Sequence, residues 1–270
     1  MDLNKKTFFL ITGASRGIGK SMALEIASKL KAGSVILLMA RNLEALQKTK
    51  SEIESKRSDV TVQVISIDLS TAKTVQFQKI ISGSLVQSQQ EVSSFDRAFI
   101  IHNAGTLGDV TRKAQEMGET ELWTQYYHTN VFATIALNVE FFKVFPTVPK
   151  LVVNISSLCS IEPFISMSLY CSGKAAREMY FKVLAVEEKD NDTLVLNYAP
   201  GAIDTDMTMI IQEDSFNLDL QDAFKTQRDN RTMLTTQQTA EKFIKVLEEV
   251  SFETGAHIDY YDYDCFDIVP

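Results

Sequence analysis

The sequence predicts an α/β class fold: a doubly wound sheet of about seven mostly parallel strands with helices on both faces. Three observations carry this prediction. Short β-rich apolar runs alternate with longer helical patterns along the chain. Runs such as Val35–Met39 are apolar on both faces, as a strand between two helical layers must be. No proline- or glycine-rich linker and no internal repeat interrupts the rhythm, so a single domain over residues 1–270 is expected.

The elements follow in order. Strand Thr7–Thr12 runs through a glycine-containing turn into a helix over Ile18–Lys31. Strand Ser34–Met39 precedes a helix at Leu43–Lys56, with Asn42 as N-cap and Lys56 and Arg57 suiting its C-terminus. Strand Thr61–Ile67 leads to a helix at Thr71–Gln89, Arg97–His102 to one long helix at Thr120–Phe145, and Lys150–Ser156 to a helix at Ser168–Glu188. After strand Thr193–Ala199 and a Pro200-Gly201 pair, Thr205–Met233 is polar and weakly periodic. Residues 205–233 are therefore expected to cover substrate near the strand C-termini. A helix at Thr236–Val250 and a strand at Ala256–Asp259 close the pattern.

Composition narrows the function. The chain carries 35 acidic and 27 basic side chains, a formal net charge of −8, which argues against nucleic acid or an anionic membrane as main partner. No apolar run is long enough for a membrane span, and Phe8–Ile11 is too short for a signal-peptide core. Three cysteines, Cys159, Cys171 and Cys265, are too few and too odd in number for a disulfide framework. A cytoplasmic protein is expected. The three histidines and three cysteines are scattered, so no metal site is expected. The acidic tail Asp259, Asp262, Asp264, Asp267 lacks the pattern of a calcium loop and reads mostly as solvated.

After the first strand comes Thr12-Gly13-Ala14-Ser15-Arg16-Gly17-Ile18-Gly19-Lys20-Ser21. A phosphate-binding P-loop would need a glycine at position 14, where Ala stands. Glycines at 13, 17 and 19 instead suit a tight strand-to-helix turn whose N–H groups and helix dipole receive a dinucleotide pyrophosphate. The second strand ends Met39-Ala40-Arg41-Asn42 without a carboxylate to accept from a ribose hydroxyl. Arg16 and Arg41 suit the 2′-phosphate of NADP.

Ser157 is followed thirteen residues later by Tyr170, and Lys174 lies one helical turn beyond. A phenol titrates near pH 10, so a tyrosine needs a cation beside it to work as an acid or base. Lys174 supplies that cation, and the Ser157 hydroxyl can bond a reacting carbonyl oxygen.

Together with Asp68-Leu69, Asn103-Ala104-Gly105, Asn130 and Pro200-Gly201, these residues resemble the short-chain dehydrogenase/reductase family across nearly the whole chain. The resemblance implies a Rossmann-like fold, NADPH or NADP+ as cofactor, and proton delivery by Tyr170 while nicotinamide delivers hydride. It implies that Asp68 and Leu69 flank the adenine, that Asn103, Ala104 and Gly105 line the cofactor, that Asn130 holds a relay water and that Lys174 bonds the nicotinamide ribose. The implied cofactor set further takes in Gly13, Ser15, Arg16, Gly17, Ile18, Gly19, Arg41, Asn42, Pro200, Gly201, Ile203, Thr205, Asp206 and Met207. His102 stands where asparagine is more usual.

Segments Asn154–Cys159, Leu169–Arg177, Leu196–Gly201, Asp204–Met207 and Gly255–Asp259 are similar to members that reduce side-chain carbonyls of pterins. That likeness implies a substrate-facing set of Ser157, Leu158, Tyr170, Gly201 and Asp259, with Asp259 gripping the pterin ring. The rival readings are a carbonyl reductase of diketones, quinones or steroids, and a non-catalytic NADP-sensing protein. Resemblance also implies a homodimer through the helices at Thr120–Phe145 and Ser168–Glu188. The tail from Asp264 to Pro270 reads as an extension without an assigned role.

Overall fold

Seven parallel strands pair side by side in the order β3-β2-β1-β4-β5-β6-β7. The structure, a computed structural model, describes residues 1–249 and 251–262. The strands are β1 Thr7–Thr12, β2 Val35–Ala40, β3 Thr61–Ser66, β4 Arg97–His102, β5 Lys150–Ile155, β6 Thr193–Ala199 and β7 His257–Asp259. The helices are α1 Gly17–Lys29, α2 Leu43–Glu54, α3 Thr74–Ser88, α4 Thr120–Tyr127, α5 Ala133–Val144, α6 Ser168–Glu187, α7 Asp206–Asp214, α8 Leu218–Asp229 and α9 Thr236–Glu249.

Alternating side chains of the apolar strands feed two cores. Phe9, Ile11, Ile36 and Leu38 pack with Met22 and Ile26 of α1, Leu46 of α2 and Phe243 and Leu247 of α9. Phe8, Leu10, Leu37 and Ile100 face the other way, onto Phe77 of α3, Phe141 of α5 and Phe181 of α6. Each such fully buried side chain contributes on the order of 1.5–3 kcal/mol, which is what holds both helical layers on the sheet.

β1 lies between β2 and β4, so chain leaving β1 goes one way across the sheet and chain leaving β4 goes the other. Such a switch point opens a crevice at the strand C-termini, where ligands of doubly wound sheets bind.

Two expectations are corrected. The helix foreseen at Thr120–Phe145 runs unbroken from Thr120 to Val144 but is not a regular α-helix throughout: a π turn, His128–Phe132, joins α4 to α5. The Asn130 side chain donates to the Tyr126 carbonyl, 2.9 Å, and accepts from Thr106 N, 2.7 Å, so the wider turn is held by a loop distant in sequence. Residues 205–233, for which the weak periodicity foresaw no helix, contain α7 and α8. Their apolar residues Met207, Ile211, Leu220 and Phe224 pack on a small separate cluster with Leu107, Val110 and Met167, which leaves most of both helices polar.

No helix among the described residues is long and apolar enough to cross a membrane. Val250 and residues 263–270, with Cys265, Asp264, Asp267 and the expected extension, lie outside the described residues.

Candidate active site

The turn after β1 is clamped to the end of β4. Thr12 Oγ1 accepts from the backbone N–H groups of Asn103 (3.1 Å) and Ala104 (3.0 Å), and Asn103 Nδ2 donates to the Thr12 carbonyl, 2.9 Å. A Cβ at Gly19 would stand 2.3 Å from the Gly13 carbonyl oxygen and 2.4 Å from Asn103 Nδ2, so only glycine lets α1 start this close to the strand. Gly17 has φ +58° and a Cβ there would meet no atom within 4 Å, so that side of the turn is open and glycine serves the backbone conformation. Ser15 and Ile18 are half-buried beside it. The first turn of α1 carries no acidic residue, and its N–H groups form a positive end suited to a phosphate. Arg16, the N-cap, is exposed and ion-paired with Asp206 at the start of α7.

At the end of β2, Arg41 is exposed, while Asn42 Oδ1 accepts from Ala45 N, 2.9 Å, and so caps α2. The Ser70 backbone N–H and hydroxyl, with the Arg41 charge further off, hold the Asp68 carboxyl below the usual range. Leu69 packs at the edge of the core beneath.

β5 delivers Ser157, whose Oγ accepts from Cys159 N, 3.2 Å, and starts a short turn, Leu158–Ser160. The Ser157 side chain lies near Tyr170 at the start of α6 and favours the ionised phenol. Lys174 Nζ donates to the Ile155 carbonyl, 2.7 Å, and lies 5.4 Å from the centre of the Tyr170 ring. The structure thus brings together the three residues that sequence spacing singled out. Asn130, buried on the π turn, backs the same region through Thr106. Gly105 adjoins it: a Cβ there would stand 3.1 Å from Asn130 Oδ1.

Burial and then the neighbouring Cys159 raise the Tyr170 pKa, with the Ser157 side chain opposing this only in part, while burial and then the Arg177 charge push Lys174 well below the usual lysine value. Tyr170 stays protonated through the neutral range, the state required of a proton donor.

Past β6, the Pro200 carbonyl accepts from Thr239 Oγ1, 2.8 Å, and Ile203 bridges to Leu234. A Cβ at Gly201 would meet Leu234 at 2.8 Å, and Thr205 N bonds Thr208 Oγ1, 3.1 Å, at the start of α7. Met207 and Tyr170 border one apolar cluster, and Leu158 is exposed. Asp259 ends β7 opposite Ala199, half-buried, with burial raising its pKa and Oδ1 accepting from Tyr261 N, 3.1 Å. It is not a solvated tail residue.

A family model described as short chain dehydrogenase matches residues 7–215. The chain belongs to the short-chain dehydrogenase family. Sepiapterin reductase from Xenopus tropicalis is 38% identical over 256 residues, covering 94% of this chain and 95% of that protein. Benzil reductase ((S)-benzoin forming) from Bacillus subtilis is 30% identical over 211 residues, covering 77% and 79%. Among solved structures, a short chain dehydrogenase from Shigella flexneri complexed with NADP is 24% identical, covers 96% of this chain and 98% of its own, and superposes with a TM-score of 0.75. The chain is an oxidoreductase of this family.

In this short-chain dehydrogenase, two site-forming residues escaped the sequence reading. Arg177 is fully buried; its Nη2 donates to the His102 carbonyl (2.7 Å), Nη1 to the Ala104 carbonyl (3.0 Å) and Nε to Asn154 Oδ1 (3.1 Å). It thereby locks the loop after β4 to α6, and burial lowers it to about 10. Glu178, its neighbour, is equally buried. Both follow Lys174 at helical spacing, three and four residues on, and that spacing was the available signal.

Proposed function

We propose that this chain reduces side-chain carbonyls of pterins with NADPH, sepiapterin and 6-pyruvoyl-tetrahydropterin among them, as a step of tetrahydrobiopterin biosynthesis. The observation that carries the reading is Asp259: a half-buried carboxylate at the same end of the sheet as Ser157 and Tyr170, in a chain that resembles sepiapterin reductases over 94% of its length. A pterin presents a ring N–H beside an exocyclic amine, and a carboxylate accepts from both at once.

The residues present fit a dinucleotide phosphate. Gly13–Gly19 with the start of α1 would hold the pyrophosphate, Arg41 and Arg16 the 2′-phosphate, Asp68 and Leu69 the adenine. Asn103–Gly105, Lys174 and Pro200–Met207 would line the nicotinamide half. NADP in the Shigella relative supports the same preference. NADPH, when bound, supplies hydride. Ser157 orients the carbonyl oxygen, Tyr170 releases its proton to that oxygen, and a relay water held by Asn130 would return a proton by way of Lys174 from the interior side.

In this reading residues 205–233 cover the substrate within a single domain, and the protein works in the cytoplasm. Exposed Phe132 and Val139 near and on α5, with Met179, Val183 and Val186 of α6, support a homodimer through these helices. The second reading, reduction of small diketones, is supported by the benzil reductase likeness. NADPH oxidation with sepiapterin and with benzil separates the two: the proposal requires the higher kcat/KM on sepiapterin, and a preference for benzil sinks it. Turnover of neither would point to another carbonyl substrate.

A further inference from the structure

Beneath the catalytic residues the structure holds one buried carboxylate with an unusual set of donors. Glu178 is 2% exposed. Its Oε2 accepts from Ser156 Oγ at 2.5 Å and from His257 Nδ1 at 2.8 Å, with Ser160 Oγ at 2.6 Å. Lys182 Nζ stands 2.7 Å from Oε1. Burial alone would raise this carboxyl, but the bonds from His257, Lys182, Ser156 and Ser160 outweigh it and bring the group down to about 2. The group is a carboxylate at working pH, and a carboxylate only accepts, so His257 carries its proton on Nδ1.

The donors come from three parts of the site. Ser156 immediately precedes Ser157, and Ser160 Oγ is also 2.7 Å from the Ser157 carbonyl oxygen. His257 opens β7 and Asp259 closes it, so their side chains share a face of that short strand. Glu178 sits one turn after Lys174 and two turns after Tyr170 on α6. A carboxylate inside a protein is seldom the cheapest filling for its space; a packed apolar residue is often as stable or more so. Bonds that fix three elements relative to one another are what such a group offers instead.

We propose that Glu178 is a positioning residue that holds the Ser157 turn and, through His257, the Asp259 strand in one frame with the catalytic helix, and so sets how the substrate ring lies against Tyr170. The proposal rests on the pterin reading above. It assigns Glu178 and His257 no contact with substrate. Their effect passes through Ser157, which serves any carbonyl, and through Asp259, which serves only a ring with paired donors. That division is what makes the two links separable.

The test measures kcat and KM on sepiapterin and on benzil for the NADPH-loaded enzyme and for His257→Phe, His257→Asn, Glu178→Gln and Asp259→Asn. His257→Phe keeps a ring but removes the donor, and the ratio of sepiapterin to benzil kcat/KM should fall by about fivefold or more, mainly through the pterin KM. His257→Asn returns an N–H near the Nδ1 position and should recover most of that ratio, which a loss of packing would not allow. Glu178→Gln faces an amide N–H toward donors and should lower kcat on both substrates as well as the ratio. Equal losses on both substrates in His257→Phe, or no recovery in His257→Asn, overturn the proposal. A fall in the ratio for Asp259→Asn with none for His257→Phe overturns the positioning role and leaves the pterin anchor standing; no fall for Asp259→Asn removes the anchor itself. Should Glu178→Gln fail to fold, the His257 pair decides the matter.

Discussion

Arg16 and Asp206 form an ion pair that joins the glycine turn after β1 to the first residue of α7, with side chains 74% and 71% exposed. An exposed pair of this kind adds little to stability. In the NADPH reading proposed above, Arg16 is also one of two guanidinium groups that would meet the 2′-phosphate, so Asp206 and the phosphate would compete for it. Asp206→Ala should move Tm by about 2 °C or less while tightening NADPH relative to NADH by roughly twofold to fivefold. Fluorescence titration with both nucleotides checks this, and weaker NADPH binding would mean that Asp206 helps the cofactor rather than competing for it.

Arg41 has no carboxylate beside it on the chain and stands exposed at the end of β2. Arg41→Asp removes a charge-assisted contact and adds repulsion, so the preference for NADPH over NADH should fall by about tenfold or more. Kd values for both cofactors give the answer. Unchanged discrimination would assign phosphate reading to Arg16 alone.

Tyr170→Phe keeps the ring that packs beside Cys171 and Met207 but removes the phenolic proton. Fold and cofactor affinity should survive, and kcat should drop by roughly 10²–10⁴-fold, the usual size of a general-acid contribution. Near-normal turnover in the variant would remove Tyr170 from the chemistry.

His102 gives a prediction about acid stability. Burial, and then the Arg177 charge, push its pKa down to about 3 from 6.5, with Asn138 opposing at 3.1 Å. Between those values the unfolded chain binds a proton that the folded chain refuses, so stability falls as pH drops from about 6.5 toward 3. Glu178, at about 2 against 4.5 unfolded, pulls the same way at lower pH. His102→Asn lacks the first contribution. Its loss of unfolding free energy between about pH 7 and pH 4 should be smaller than the parent's by on the order of 3 kcal/mol. Urea melts at both pH values measure it, and parallel curves would show that His102 takes up a proton in place.

The strands were legible because a strand covered on both faces leaves a dense apolar run: β1, β4 and β6 begin and end where the pattern does. The glycine turn and the Tyr170–Lys174 pair were legible because their chemistry depends on spacing within one turn or one helix, and Ser157 because it falls just past an apolar strand a fixed distance before that pair. The π turn was not, since its cause is Asn130 meeting Thr106, a contact between distant segments. α7 and α8 were missed because their apolar residues face a small satellite cluster instead of the sheet. Arg177 and Glu178 were missed for the opposite reason. Adjacent opposite charges on a helix look like a solvated face, and only the fold reveals that both point inward.

The π turn has a consequence for length variation. Five residues, His128–Phe132, span a turn that a regular helix crosses with fewer, so the segment carries a surplus residue. Deleting one residue there would let α4 and α5 fuse into an unbroken α-helix, and because the surplus residue adds almost no rotation, both flanks would keep their faces. The apolar stripe of α5 would stay on the sheet, and the loss would fall on Asn130, whose place opposite Thr106 is set by the widened turn. A one-residue deletion between Tyr126 and Leu137 should therefore leave the core packed and cost the Asn130 position alone.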